Sequence, residues 1–143
     1  MPELIGTRTY ENLIEAFTRE CQDSMRFSYF AQKADVEGRR DVASLFRAVA
    51  DGETSHAFGD LDLLFEIHDP VTGVSVGASV DNLRSAVEGE WHYHVNMYPG
   101  FARVARDEGF EEAAEWFEML AIAERNHARL FEESLERLGR ADR

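Results

Sequence analysis

Apolar residues recur along this chain in alternating steps of three and four. Leu13, Phe17, Glu20, Ser24, Phe27, Ala31 and Ala34 share one phase, and Val42, Phe46, Val49, Glu53, His56, Asp60 and Leu63 share a second. Leu83, Val87, Glu90, His94, Met97 and Phe101 follow a third, and Ala113, Phe117, Leu120, Glu124, His127 and Phe131 a fourth. That period puts each set on one face of an α-helix. Helices are expected at about 8–37, 39–66, 80–108 and 110–138. Glu37-Gly38 and Glu108-Gly109 punctuate the short connections, and glycine suits the left-handed position just past a helix end. Gly and Pro otherwise gather in 69–79, so a long crossover is placed at 67–79. Asp81 or Ser79 is the expected cap of the third helix. The pattern predicts an all-α, single-domain chain over 1–143: a four-helix bundle of two hairpins.

The halves read as repeats. Glu20 matches Glu90 at an offset of 70, whereas Glu37-Gly38, Glu53 and His56 match Glu108-Gly109, Glu124 and His127 at an offset of 71. One extra residue therefore lies between Glu90 and Glu108, where Pro99 also sits. A mid-helix proline removes a backbone hydrogen bond and clashes with the preceding turn. A one-residue bulge would relieve both, and a plain kink is the alternative.

Charge and cysteine content narrow the function. A formal net charge of −13 argues against nucleic acid and against anionic membrane surfaces. A single cysteine, Cys21, excludes an internal disulfide framework and any Cys-Cys metal site. No apolar run approaches the ~20 residues that span a bilayer, and the N-terminus carries no basic segment ahead of an apolar stretch. The expected location is the cytoplasm.

The four stripes contain residues that an ordinary core does not. Glu20, Glu53, His56, Glu90, Glu124 and His127 all hold apolar-phase positions. Crowded ionised carboxylates are costly to bury unless something neutralises them. Glu20 lies 18 residues before Gly38 and Glu53 lies 15 after it; Glu90 lies 19 before Gly109 and Glu124 lies 15 after it. At ~1.5 Å per residue each lies roughly 22–28 Å from its turn, so the four meet at one level of a bundle. In each Glu-x-x-His pair both side chains share a face. Taken singly, such a glutamate is usually half-exposed and such a histidine usually hydrogen-bonded packing. Six at matched levels in two repeats point instead to two metal ions. This is the ligand pattern of di-iron and di-manganese helical bundles, and oxygen and imidazole donors without sulfur favour iron, with manganese or a mixed pair as alternatives. His94, at i+4 from Glu90, is an additional candidate ligand. His92 is expected to face solvent, His68 to be idle, and Trp91 and Trp116 to pack or make subunit contacts.

The chain resembles the rubrerythrin family, in the form without a rubredoxin domain. The resemblance rests on Ala16-Phe17 with Glu20, Tyr29-Phe30-Ala31, Glu37-Gly38, Gly52-Glu53 with His56-Ala57, Asp81-Asn82-Leu83, Gly89-Glu90, Met97-Tyr98-Pro99, and Glu108-Gly109-Phe110 with Glu124 and His127-Ala128. It implies a ferritin-like bundle with a non-haem di-iron centre that reduces hydrogen peroxide or dioxygen. It implies Glu20, Glu53, Glu90, Glu124 and His127 as ligands, with His56 binding one iron in the reduced state. The family's third helix carries a second glutamate three residues after Gly-Glu; here that position is Tyr93. His56 is therefore expected to stay bound in both redox states. A tyrosine common in the family's first helix is Phe27 here. Tyr93 and Tyr98 are the candidate catalytic residues near the site.

Three functions fit these residues. The first is a peroxidase-type oxidoreductase in oxidative-stress defence, fed by a separate donor such as rubredoxin or a flavoprotein reductase. The second is a ferroxidase or iron-binding protein. The third is a structural protein with a remnant site. A homodimer is the expected assembly.

Overall fold

The computed structural model describes residues 3–141. Helix α1 spans Arg8–Val36, α2 Arg40–Phe65 and α3 Ser79–His92; a π-helical turn spans Tyr93–Met97, followed by α4 Tyr98–Asp107 and α5 Glu111–Ala141. The chain divides into two compact units, residues 1–70 and 71–143.

The first unit is the hairpin of α1 and α2. Thr7 caps α1, its Oγ1 accepting the Tyr10 N–H at 3.2 Å. Past the other end Gly38 takes φ +76°. The Arg39 N–H then reaches Ala34 O at 2.8 Å and the Gly38 N–H reaches Asp35 O at 3.0 Å. These two bonds satisfy the helix's last carbonyls and reverse the chain. Buried Ala31, Ala34, Ala43, Ala50 and Ala57 line the helix contact, where small side chains let two backbones approach closely. Phe27, Phe30 and Phe46 form an aromatic triad, and Arg47 donates to Asp35 at 2.8 Å.

The second unit repeats this plan 71 residues later. Buried Ala102, Ala105, Ala114, Ala121 and Ala128 take the places of the five alanines. Gly109 takes φ +85°, with Phe110 N–H to Ala105 O at 2.8 Å. Tyr98, Phe101 and Phe117 form the matching triad: centroid separations of 6.3, 6.1 and 5.5 Å stand against 6.3, 6.0 and 5.5 Å in the first hairpin. The ion pair recurs with its charges exchanged, Arg106 standing for Asp35 and Glu118 for Arg47, again at 2.8 Å. A single charge reversal would repel, so the exchange of both partners keeps the contact while the sequence diverges.

The slip between offsets falls in the π turn. Glu90 still matches Glu20 at 70, and Tyr98 already matches Phe27 at 71. The Tyr98 N–H bonds to Tyr93 O, five residues back, which absorbs the extra residue. The third helical run, expected to carry a bulge or a kink near Pro99, is divided by this π turn, and both Glu90 and Tyr98 keep their faces toward α5.

The start of α3 differs from expectation. Neither Ser79 nor Asp81 caps it: Ala78 holds the cap position, and Asp81 pairs with Arg84 at 2.9 Å. The Asn82 side chain satisfies Gly77 instead, accepting its N–H at 2.8 Å and donating to its carbonyl at 3.3 Å. One amide does both jobs, which an ionised carboxylate, an acceptor only, cannot. No described helix is long and apolar enough to cross a membrane.

If the π turn exists to accommodate Pro99, deleting Val95 should restore α geometry and cost on the order of 3 kcal/mol, the penalty of an interior helical proline. Pro99→Ser, which installs the matching Ser28 of the first hairpin, should recover most of that loss. Thermal unfolding followed by circular dichroism reads both changes. A deletion tolerated with Pro99 in place would show that the proline does not require the extra residue.

Candidate metal centre

Each hairpin gathers one group of three. Glu20 from α1 meets Glu53 and His56 from α2, and Glu90 from α3 meets Glu124 and His127 from α5. Within each group one ligand-type atom per residue lies within 4.8 Å of the others. The geometry is nearly the same twice. His56 Nδ1 stands 3.0 Å from Glu53 Oε2 and 3.5 Å from Glu20 Oε2. His127 Nδ1 stands 2.8 Å from Glu124 Oε2 and 3.6 Å from Glu90 Oε2. The i,i+3 spacing on α2 and α5 sets the shorter distance, and the alanine-lined helix contact brings the third carboxylate within reach.

The two carboxylates of each group lie close enough to shift each other in opposite directions. The hydrogen bond to Glu53 holds the Glu20 carboxyl above its ordinary range, and the same bond holds Glu53 below it. In the second group burial, followed by the contact with Glu124, raises Glu90 to about 7. The bond to Glu90 lowers Glu124. Hydrogen bonds to Glu53 and Glu124 raise His56 and His127 respectively, because each imidazolium faces anions. Glu90 Oε2 is buried and makes no hydrogen bond. A buried carboxylate oxygen without a partner, inside a set of carboxylate and imidazole donors, fits a divalent cation.

His94 is not in either group. His94 Nδ1 bonds Ala121 O at 2.7 Å, so Nδ1 carries the proton and only Nε2 keeps a lone pair. In the first hairpin the same link is a relay: Ser24 Oγ and Thr54 Oγ1 are 2.7 Å apart, and Thr54 Oγ1 donates to Ala50 O at 3.0 Å. His94 matches Ser24 in the repeat and reaches the equivalent carbonyl directly. The Tyr93 ring lies over Gly89, where an added Cβ would meet its Cε2 at 3.8 Å and its hydroxyl at 3.9 Å. It lines a cleft of about 260 Å³ with Val71, Thr72, Glu88, Gly89 and His92. Tyr98 stacks on Phe117 and stands 6.4 Å from Tyr93. His92 is exposed, as expected. His68 is not idle, since its Nε2 hydrogen-bonds the Tyr10 hydroxyl at 2.9 Å. The indole N–H of Trp91 donates to Glu132. The Ser24–Thr54 relay escaped the sequence reading. A pair of hydroxyl residues, each beside or one turn from a core-phase glutamate, was the available signal.

The raised Glu90 pKa sets a pH dependence for the metal-free protein. A carboxyl raised in the folded state stabilises that state below its unfolded pKa, and the stabilisation is lost as pH rises through the folded value. Between about 4.5 and about 7 the metal-free melting temperature should therefore carry a falling contribution from Glu90. Glu90→Gln, which keeps a donor and cannot ionise, should remove it. An unchanged pH profile in that variant would show that Glu90 is not the group responsible.

Comparison with known proteins gives the family. The family model described as Rubrerythrin matches residues 11–135. The chain is 36% identical over 142 residues to rubrerythrin of Nitratidesulfovibrio vulgaris, covering 92% of this chain and 71% of that protein. It is 39% identical over 139 residues to rubrerythrin of Clostridium perfringens, with coverages of 92% and 71%. Among solved structures it is similar to nigerythrin in its fully reduced, all-ferrous state, with a TM-score of 0.44 and 28% identity, covering 93% of this chain and 68% of that one. With most of its length matched by the family model and curated relatives more than one-third identical, the chain belongs to the rubrerythrin family, whose members are ferritin-like di-iron proteins.

Proposed function

We propose that this chain holds two iron ions and reduces hydrogen peroxide with electrons from a separate donor such as rubredoxin or a flavoprotein reductase. The observation that carries the reading is the pair of Glu-Glu-His groups in a chain of this family. Glu20, Glu53 and His56 would hold one ion, and Glu90, Glu124 and His127 the other. When bound, the ions supply electrons and Lewis acidity to the peroxide oxygens.

The chain's own residues supply charge balance, orientation and protons. Four carboxylates offset the charge of two divalent cations. The Glu-x-x-His spacing holds each imidazole beside its carboxylate, which fixes ring orientation. Reduction of peroxide to two waters consumes two electrons and two protons; the donor provides the electrons and solvent replenishes the protons. Tyr98 stands at the repeat position that Phe27 fills in the first hairpin, so at that position a phenol hydroxyl is supplied by the second hairpin alone. Tyr93 stands three residues from Glu90 where relatives place a carboxylate, and it leaves the centre one anionic side chain poorer.

Protein loaded with ferrous iron should consume peroxide repeatedly while a reduced donor is oxidised in step. Glu53→Ala or Glu124→Ala should lower the rate more than about a hundredfold, since even supporting residues of a metal site are commonly worth ten- to a hundredfold. Oxidation of the loaded iron once, without donor-dependent turnover, would replace the peroxidase reading with the iron-handling one. Iron at a hundredfold excess over Kd should also add about 2.7 kcal/mol of stability. A melting temperature unmoved by chelation would mean that these carboxylates do not hold metal.

An added carboxylate stabilises the ferric charge, so Tyr93→Glu should lower the reduction potential of the loaded protein. A potential that rises or stays constant in a redox titration would remove Tyr93 from the account of the centre.

A further inference from the structure

The two hairpins are built from the same parts. Ala43, Ala50 and Ala57 of α2 recur as Ala114, Ala121 and Ala128 of α5, and the aromatic triads have nearly equal spacings. Glu53 and His56 recur as Glu124 and His127. None of these features tells α2 from α5. None of them therefore stops α1 from pairing with α5, or α4 with α2, within a chain or between copies during folding.

The charges at the turn end do tell the helices apart. In the first hairpin Asp35 of α1 stands against two cations of α2. Arg47 donates to it at 2.8 Å, and that bond, together with the nearby charge of Arg40, holds the Asp35 carboxyl below its ordinary range. In the second hairpin Arg106 of α4 stands against two anions of α5, donating to Glu118 at 2.8 Å and to Glu111 at 2.9 Å. These positions correspond at an offset of 71: Asp35 to Arg106, Arg40 to Glu111 and Arg47 to Glu118. Every sign is reversed. Pairing α1 with α5 would set Asp35 against Glu111 and Glu118, and pairing α4 with α2 would set Arg106 against Arg40 and Arg47.

A second difference lies in mid-helix. Thr54 Oγ1 donates to Ala50 O at 3.0 Å, and Ser24 Oγ stands 2.7 Å from it. In the second hairpin Arg125 replaces Thr54 and lies exposed, and His94 Nδ1 reaches the matching carbonyl, Ala121 O, at 2.7 Å. Exchange would bring His94 to a carbonyl that Thr54 already serves. It would also leave Ser24 facing Arg125 with no hydroxyl partner.

We propose that the reversed charges are a pairing code, which keeps α1 with α2 and α4 with α5 against exchange between two otherwise equivalent hairpins. The code is independent of what the hairpins bind. Each of these half-exposed pairs contributes little alone. Exchange, however, turns attraction into repulsion at every contact, and specificity is set by that difference.

The test uses the full chain with Cys21→Ser and the reporter substitutions Ser24→Cys, Thr54→Cys and Arg125→Cys. Residues 24 and 54 face each other in the first hairpin, and 125 is the repeat position of 54. The chain is refolded from urea in a glutathione buffer and digested, and mass spectrometry gives the ratio of 24–125 to 24–54 disulfides. Adding Asp35→Arg/Arg106→Asp inverts the code at unchanged net charge, so that α1 matches α5 and α4 matches α2. The exchanged share should then rise at least about tenfold over that of the native charges. In about 1 M sodium chloride, where the screening length falls to ~3 Å, the two proteins should converge. Should the inverted chain lose its helical circular dichroism, Asp35→Asn/Arg106→Gln is used, which removes the code without opposing it. The exchanged share should then rise by a smaller factor, again converging in salt. Equal shares with native and altered charges, or a rise that persists in high salt, would overturn the proposal.

Discussion

Four carboxylates on apolar helical phases are the constraint from which the rest follows. Glu20 faces Glu53 and Glu90 faces Glu124 at distances where two anions cannot both be comfortable. Each pair holds one carboxyl above its ordinary range and raises a neighbouring histidine, and Glu90 leaves a buried oxygen without a hydrogen bond. Such an arrangement opposes stability unless a cation joins it. Its persistence in both halves of the chain is therefore an argument for metal that is independent of family resemblance.

Around those pairs the chain repeats one hairpin twice. The alanine seams, the left-handed glycines and the aromatic triads recur 71 residues apart. The exchange of Asp35–Arg47 for Arg106–Glu118 shows a contact conserved through a double charge reversal. Differences between the hairpins concentrate near the second metal group. There the π turn, Pro99, Tyr93 and His94 replace an unbroken helix with Ser24 and Phe27. Tyr93, Tyr98 and the histidine bonded to Ala121 all belong to the second half, so the chemical asymmetry between the hairpins comes from that side.

Much of this was legible in the sequence, for identifiable reasons. A glutamate in an apolar phase is anomalous, and six ligand-type residues at matched levels are hard to place otherwise. Gly38 and Gly109 marked the turns because only glycine takes positive φ freely there. The one-residue slip between Glu90 and Glu108, together with Pro99, located the bulge before its geometry was known. The α3 cap was misread because Asn82 acts from four residues beyond the cap position, satisfying both groups of Gly77 through a side-chain amide. Where His94 and Tyr93 point could not be read from spacing. Both lie at the start of the π turn, where His94 bonds Ala121 O and the Tyr93 ring lies over Gly89.

The central claim is that the two Glu-Glu-His groups hold two iron ions per chain. Mössbauer spectroscopy on anaerobically purified, ⁵⁷Fe-loaded protein, combined with iron analysis, tests it most directly. The account predicts two iron ions per chain, with Glu53→Ala and Glu124→Ala each lowering that number. One iron per chain, none, or two that survive both substitutions would contradict it.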